Sequence, residues 1–232
     1  MMDQIRCFGD EWILVSCVYC GIGPIETRDH VPSRILLDDP FPENLPVVPA
    51  CQSCNQEFSR DEEYLACLIE CAICGGTNAE DVCRPKIARV LTERPRLAAR
   101  LKRARHEANG LIDFRIEEER VLGVIAKLAR GHAAFDLHEP KPGAPVAMVA
   151  CPMRLMPSEK RSAFENAAVS SLWPEVGSRA MVRIGSGMVG ASEWIEVQSG
   201  RYRYLAAVTE SSIIVRMVLS EYLAGEVIWS SN

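Results

Sequence analysis

Two cysteine pairs organise the N-terminal part of this 232-residue chain, Cys17-Val-Tyr-Cys20 and Cys51-Gln-Ser-Cys54. In a reducing compartment, cysteines at this spacing bind metal more often than they form disulfides. Two such Cys-x-x-Cys pairs supply four thiolates, the usual ligand set of a closed tetrahedral zinc site. The spacing therefore predicts a structural zinc ion that ties together the two ends of the intervening loop, with Cys17, Cys20, Cys51 and Cys54 as its ligands.

Polar residues suited to catalysis lie in and beside that loop. The loop contains Thr27-Arg28-Asp29-His30-Val31-Pro32 and Asn44-Leu45, and Asn55 follows Cys54 directly. Carboxylate and amide oxygens suit magnesium or manganese, whereas thiolates suit zinc. A neutral imidazole can accept a proton from water near pH 7. A base and a divalent cation together are what phosphodiester hydrolysis requires.

Over roughly residues 15–65 the chain resembles the HNH endonuclease family. The resemblance is carried by Asp29-His30, Pro32, Asn44-Leu45 and Cys51-Gln-Ser-Cys54-Asn55. The upstream Cys17/Cys20 pair is similar to the zinc-bearing branch of that family. Asn55 stands where many members have a histidine, which leaves the preferred metal open.

The resemblance implies a zinc-clamped ββα-metal (His-Me finger) module at the N-terminus. His30 would be the general base, Asp29 and Asn55 would bind a catalytic Mg²⁺ or Mn²⁺, and Asn44 would orient the loop. The protein would then be a metal-dependent endonuclease that hydrolyses phosphodiester bonds of DNA. The alternative is a non-catalytic zinc-knuckle module that binds nucleic acid or protein.

The distribution of charge is uneven. The net charge is −5, yet residues 84–105, here called the basic segment, hold nine basic residues and one acid, Glu93. Such clustering can follow a phosphate backbone, which makes Arg100, Lys102 and Arg103 candidate nucleic-acid contacts. A solvated helix face explains the segment equally well. Four acids after the second cysteine pair either repel DNA or favour the start of a helix: Glu57, Asp61, Glu62 and Glu63.

Composition indicates an ordinary globular protein, with 48% hydrophobic and 25% charged residues. There is no apolar run of about eighteen residues and no signal-peptide pattern at the N-terminus. We therefore expect a cytoplasmic protein without a membrane partner, which binds nucleic acid, in the first place DNA, and contacts a protein through its C-terminal region. Four more cysteines could form a second metal site, but we expect them to pack as small hydrophobes: Cys67, Cys71, Cys74 and Cys83.

The overall pattern predicts an α+β fold in three parts. Residues 1–62 form the zinc-clamped module, residues 63–139 a helical region, and residues 140–232 an α+β region with antiparallel strands. In the helical region, capping patterns at Ser59–Glu62 and Thr77–Glu80 predict helix starts. Gly75-Gly76 and Pro95 are predicted to interrupt the helices of that region. A further helix is predicted over residues 117–130, with Gly131 as its stop.

The ends of the chain carry weaker patterns. Residues 11–19 are apolar and predict a strand, and the prolines between residues 38 and 49 exclude a helix there. A linker at residues 138–145 precedes a predicted helix over 158–172. The predicted C-terminal strands, with a turn at Ser199-Gly200, are residues 179–184, 194–198, 201–208 and 212–219.

Overall fold

The computed structural model describes residues 15–166, 173–187 and 193–231. In these ranges the fold is α+β, with six α-helices, two short hairpins and a five-stranded antiparallel sheet. The helices are α1 (Gln52–Cys74), α2 (Pro85–Glu93), α3 (Pro95–Ala104), α4 (Glu118–Leu137), α5 (Ser158–Glu165) and α6 (Arg179–Gly185). No helix of the described ranges has the length and apolar character needed to cross a membrane.

The first hairpin carries the candidate site. Strand β1 (Thr27–His30) pairs antiparallel with β2 (Val47–Ala50), so that Asp29 lies opposite Val48. The proline-rich stretch between the strands stays free of α-helix, as predicted, and contains only a single 3₁₀ turn at Arg34–Leu36. Residues 15–20 form turns rather than the predicted strand, and residues 11–14 lie outside the described ranges.

Helix α1 begins directly at the second cysteine pair. Cys51 has an extended backbone and is its N-cap residue, so the predicted start at Ser59–Glu62 is wrong and those residues lie inside the helix. The predicted end is confirmed, since Gly75 adopts φ 75° and its N–H bonds the carbonyl of Cys71. Glycine takes this left-handed conformation without a steric penalty.

The next helices follow proline signals. The predicted helix start at Thr77–Glu80 is wrong, because these residues form turns and α2 begins at Pro85. Proline at the first helical position has no N–H to leave unpaired. The predicted break near Pro95 is confirmed, and Pro95 is the first residue of α3. A hairpin that the sequence did not predict follows, formed by β3 (Arg105–Ala108) and β4 (Leu111–Phe114).

Helix α4 is the centre of the molecule. It packs on α1 on one side and on strands of the large sheet on the other. The predicted stop at Gly131 is wrong, because the helix continues to Leu137 and ends at His138, which has φ 57°. A Cβ on Gly131 would lie 2.6 Å from Val31 Cγ2, so this glycine allows the close approach of the residue that follows β1.

The C-terminal sheet is antiparallel throughout, and its strands lie in the order β5 (Ala147–Pro152), β9 (Leu223–Ser230), β8 (Ser212–Leu219), β7 (Tyr202–Val208) and β6 (Ile195–Gln198). Three of its strands match the prediction, namely β6, β7 and β8, and Gly200 lies in the β6–β7 turn with φ 69°. The sequence did not predict β5 or β9.

Two other predictions for this region need correction. Residues 179–184 form α6 rather than a strand, and the Ser178 hydroxyl caps this helix by accepting the N–H of Met181. The predicted helix over 158–172 is confirmed as far as Glu165, and residues 167–172 lie outside the described ranges.

One hydrophobic cluster joins the parts of the fold. Its buried members include Val31 beside the hairpin, Leu65 of α1, Leu128 of α4 and Val215 of β8. Burial of apolar surface on both sides of α4 therefore fixes the hairpin and α1 relative to the sheet.

Candidate metal centre and hairpin site

A tight turn brings the first two cysteines together. The N–H of Cys17 bonds the carbonyl of Gly23, and the N–H of Gly21 bonds the carbonyl of Cys17. Gly21 has φ 75°, which glycine tolerates best. The N–H of Gly23 also points at Cys20 Sγ, at 3.3 Å. Backbone N–H groups directed at sulfur favour the thiolate form that a metal ligand needs.

The start of α1 brings in the other two cysteines. Cys51 is the N-cap residue and Cys54 lies in the first helical turn. The sulfur atoms of Cys17, Cys20, Cys51 and Cys54 all lie within 4.8 Å of one another, and those of Cys20 and Cys51 are 4.0 Å apart. Tetrahedral zinc with Zn–S bonds of about 2.3 Å separates its sulfurs by about 3.8 Å. The predicted cluster is thus formed, and it could hold a zinc ion.

The four thiols differ in acidity. The hydroxyl of Ser53, 3.2 Å from Cys51 Sγ, is the main cause that lowers the pKa of the Cys51 thiol to about 6. Burial raises the pKa of Cys54 and, to a lesser extent, that of Cys17. Backbone N–H groups lower the pKa of the Cys20 thiol as well. Two ligands are therefore predisposed to ionise, and a bound cation would drive the other two to the thiolate form.

Asp29 lies in a buried ion-pair network behind the hairpin. Its Oδ2 accepts a hydrogen bond from the Tyr19 hydroxyl at 2.6 Å and lies 2.6 Å from Lys127 Nζ. The same ammonium contacts the carboxylate of Glu62 on α1. Lys127 has no exposed surface, and Asp29 and Glu62 are nearly as buried. These contacts connect β1, α1 and α4 through three charged side chains.

Sequence reasoning missed Lys127, whose ammonium contacts the candidate ligand Asp29. The sequence feature that could have revealed Lys127 is the apolar segment around it. Almost every residue of α4 from Val121 to Leu137 is buried. A helix that is apolar on most faces lies in a core. A lysine in such a helix needs a buried acidic partner, because an unpaired buried charge is very costly.

The four acidic residues after the second cysteine pair, namely Glu57, Asp61, Glu62 and Glu63, do not have the predicted role. None of them lies in the first turn of α1, so the helix-dipole interpretation is wrong. Asp61 forms an ion pair with Arg120 at 2.6 Å, and Glu63 pairs with Arg94 at 3.3 Å. With Glu62 paired to Lys127, most of this negative charge is neutralised within the protein.

Asn55 contacts the strand that carries Asp29. Its Nδ2 donates to Thr27 Oγ1 at 3.1 Å. Thr27 and Asp29 lie two positions apart on β1, so their side chains project from the same side of the strand. In the described part of the chain, the carboxylate contacts of Asp29 all fall on Oδ2. The second oxygen of Asp29 and the amide oxygen of Asn55 therefore remain as oxygen donors on this side of the hairpin.

His30 is the last residue of β1, and its side chain is half-buried. Its Nδ1 is buried and has no hydrogen-bond partner among the described residues. Burial, followed by the charge of Arg34, lowers the pKa of the His30 imidazole below its usual value, although Asp29 opposes the shift. The ring is thus neutral at pH 7, which is the form a general base requires. Asn44 is exposed in the turn before β2.

The basic segment divides into structural and exposed positions. Arg84 is buried and binds Asp38 at 2.6 Å together with the carbonyls of Ile35 and Leu37. Arg100 is exposed and pairs with Glu117 at 3.2 Å. Lys102 and Arg103 are exposed on α3. Only part of the segment is therefore available to an external phosphate.

Two cavities in the described ranges lie away from the hairpin. One is lined by Arg60, Arg94, Arg96, Arg100 and Arg120 together with two glutamates and flanking residues. The other lies at the end of α1, beside Cys74, Asn78, Lys102 and Arg105. The structure thus brings the four cysteines together and places Asn55 beside the strand of Asp29 and His30, but these residues line neither cavity.

Comparisons of the chain with protein families, with curated proteins and with solved structures find no significant match. Its function is therefore inferred from its own side chains.

Proposed function

We propose that this protein is a zinc-clamped, divalent-cation-dependent phosphodiester hydrolase that acts on DNA. The observation that carries the proposal is the placement of His30, Asp29 and Asn55 on or beside strand β1 of the first hairpin. His30 ends β1, Asp29 precedes it, and Asn55 reaches β1 from the first turn of α1 through its 3.1 Å hydrogen bond to Thr27. The cysteine cluster lies at the start of the same helix. The arrangement supports a ββα-metal module at this hairpin.

The oxygen donors at this site fit a hard cation. Asp29 and Asn55 would hold Mg²⁺ or Mn²⁺, since these ions prefer carboxylate and carbonyl oxygens. When bound, the cation would neutralise charge that develops on the phosphate. Lys127 Nζ lies 2.6 Å from Asp29 Oδ2 and holds that oxygen. The other carboxylate oxygen of Asp29 would then bind the cation.

The protein's own contribution to the reaction is the proton transfer. His30 accepts a proton from the attacking water at a ring nitrogen, because burial keeps the imidazole neutral near pH 7. Val31 packs against Gly131 of α4 directly after His30, and this contact restrains the end of the strand. Asn44, in the turn before β2, supports the loop in this proposal.

The experiment is a plasmid-nicking assay with Mg²⁺ or Mn²⁺. His30→Ala should reduce cleavage by at least 100-fold, on the order of what a general base contributes. The matched control is His106→Ala, since His106 is exposed on β3 and should leave cleavage unchanged. Cleavage that survives in the His30 variant excludes His30 as the base.

A second candidate function is favoured by the ion pair between Asp29 and Lys127. The ammonium already partly neutralises the carboxylate, which weakens the attraction of Asp29 for a divalent ion. The hairpin would then serve a non-catalytic zinc module that binds nucleic acid or protein. Purified protein that retains zinc and binds DNA, but does not cleave it with any divalent cation, would favour this function.

A further inference from the structure

We propose that Glu70, Cys74 and Cys83 form a second zinc site, separate from the four-cysteine cluster. Cys74 is the last residue of α1 and Glu70 lies one turn before it. The chain reverses after Gly75 and brings Cys83 back beside them. Cys74 Sγ lies 3.7 Å from Cys83 Sγ and 3.6 Å from Glu70 Oε1, and the three ligand atoms all lie within 4.8 Å of one another.

The distances suit tetrahedral coordination. Zinc bonds of about 2.3 Å to sulfur and about 2.0 Å to oxygen place two sulfurs about 3.8 Å apart, and a sulfur and an oxygen about 3.5 Å apart. The observed separations of 3.7 and 3.6 Å agree closely with both values. Two thiolates and one carboxylate would leave the fourth position for water or another small ligand, because Cys83 is exposed.

The carboxylate of this site is held in place before any metal binds. Glu70 is only 2% exposed. Its Oε1 accepts the backbone N–H groups of Cys83 and Arg84, each at 3.1 Å. These two hydrogen bonds hold Glu70 Oε1 beside the sulfur of Cys74.

Contacts within the loop between Cys74 and Cys83 also fix its conformation. Asp81 Oδ2 accepts both the backbone N–H and the side-chain amide of Asn78, each at 2.9 Å. A Cβ on Gly76 would lie 2.3 Å from Asp81 Cβ, so only glycine fits there. These contacts return Cys83 to the end of α1 without help from a metal.

The sequence analysis predicted that Cys67, Cys71, Cys74 and Cys83 all pack in the core, and this holds for two of them. Cys67 and Cys71 have no exposed surface and are part of the hydrophobic cluster. Cys74 is half-buried and Cys83 is exposed, so neither packs as a core residue. The group thus divides into a structural pair and a pair available to a metal.

The test counts zinc in the purified full-length chain under reducing conditions. Two zinc ions per chain are expected for the wild type, and one for the double variant Cys74→Ser, Cys83→Ser. The matched control is Cys151→Ser, because Cys151 is half-buried on β5 and should leave two ions bound. A wild-type content of one zinc that the double variant does not change would overturn the proposal.

A second measurement uses the unaltered protein and does not depend on the folding of a variant. Alkylation of Cys83 is followed by mass spectrometry of its peptide, in protein from which a chelator has removed the metal and in the same protein after zinc is added back. Zinc at this site should slow the reaction several-fold, because a metal-bound thiolate is a poorer nucleophile. Equal alkylation rates of Cys83 with and without zinc would contradict the site. The site would also be contradicted if Cys74 and Cys83 formed a disulfide in air and added zinc never protected the reduced thiols.

Discussion

The ammonium of Lys127 lies 2.6 Å from Asp29 Oδ2, and this ion pair joins the central helix α4 to the strand that carries His30. Lys127 has no exposed surface, and Glu62 completes the network from α1. Tyr19 adds a hydrogen bond to Asp29, and its ring centre lies 5.6 Å from the ammonium. The position of the candidate site relative to the core therefore depends on a charge network.

Replacing Lys127 by Met should destabilise the protein by about 3–5 kcal/mol, because two buried carboxylates lose the cation that both contact. Urea unfolding at pH 7 measures the effect. Burial already raises the pKa of Glu62 despite Lys127, so the variant should regain stability as the pH falls and Glu62 binds a proton. Glu62→Gln added to the variant should restore part of the loss. Lys102→Met, at an exposed position of α3, is the control and should change stability little.

Two glycines of α4 should respond oppositely to alanine. Gly123→Ala should stabilise the protein by about 0.5–1 kcal/mol, since a Cβ there meets nothing within 4 Å and alanine favours a helix. Gly131→Ala should destabilise it by about 1–3 kcal/mol, because the new Cβ would lie 2.6 Å from Val31 Cγ2. Unfolding free energies measure both changes. Val31→Ala should relieve the clash in the Gly131 variant, and equal effects at the two glycines would refute this role of Val31.

His132 should make stability depend on pH. Its Nε2 lies 2.8 Å from the Tyr202 hydroxyl, and its ring stacks on Tyr204 at 3.6 Å. Burial lowers the pKa of His132 below 6.5, while Asp136 partly opposes the shift. The unfolded chain therefore binds a proton before the folded chain does. This stabilising contribution is complete above pH 6.5 and is lost as the pH falls toward the lower folded-state pKa.

The measurement for His132 is the unfolding free energy between pH 7.5 and 5. A histidine that stays neutral adds a slope of at most about 1.4 kcal/mol per pH unit. His132→Gln should flatten the pH dependence, whereas His106→Gln at the exposed position on β3 should leave it as in the wild type. Parallel curves for wild type and the His132 variant would contradict the prediction.

Neutralising Arg100, Lys102 and Arg103 together should weaken DNA binding and reduce its salt dependence. Each phosphate contact adds a little less than one unit to the slope of log K against log salt, so three contacts account for about 2–3 units. Fluorescence anisotropy over a range of salt concentrations measures the slope. The control removes three exposed charges elsewhere, at Arg154, Lys160 and Arg161. An unchanged slope in the first variant would identify these residues as a solvated helix face only.

The sequence was most informative where chemistry or backbone geometry allows few alternatives. The cysteine spacing predicted the four-thiol cluster, because few other functions need two Cys-x-x-Cys pairs. Gly75 predicted the end of α1, and Pro95 predicted the break between α2 and α3. The β-branched residues Ile213, Ile214 and Val215 predicted β8 with its observed bounds, Ser212–Leu219.

The errors occurred where a local pattern had two meanings. Ser59 begins a capping pattern, yet α1 starts at Gln52 with Cys51 as its N-cap residue. Thr77 begins another, yet α2 starts at Pro85. Gly131 resembled a helix stop, but its role is to admit Val31. Residues 179–184 are apolar enough for a strand, and the cap at Ser178 helps to make them a helix instead.

By itself, the sequence determined that Cys17, Cys20, Cys51 and Cys54 could hold a zinc ion, since ligand chemistry depends on side-chain type and each cysteine pair is close in the chain. Only the tertiary structure decided which charges meet, because Asp29, Glu62 and Lys127 are far apart in sequence and converge through the packing of α4 on the hairpin and α1. The same holds for Cys83, which reaches Cys74 only because the loop after α1 folds back on itself. The spacing of nearby residues can be read directly from the sequence, whereas long-range contacts depend on how the helices and strands pack around the hydrophobic core.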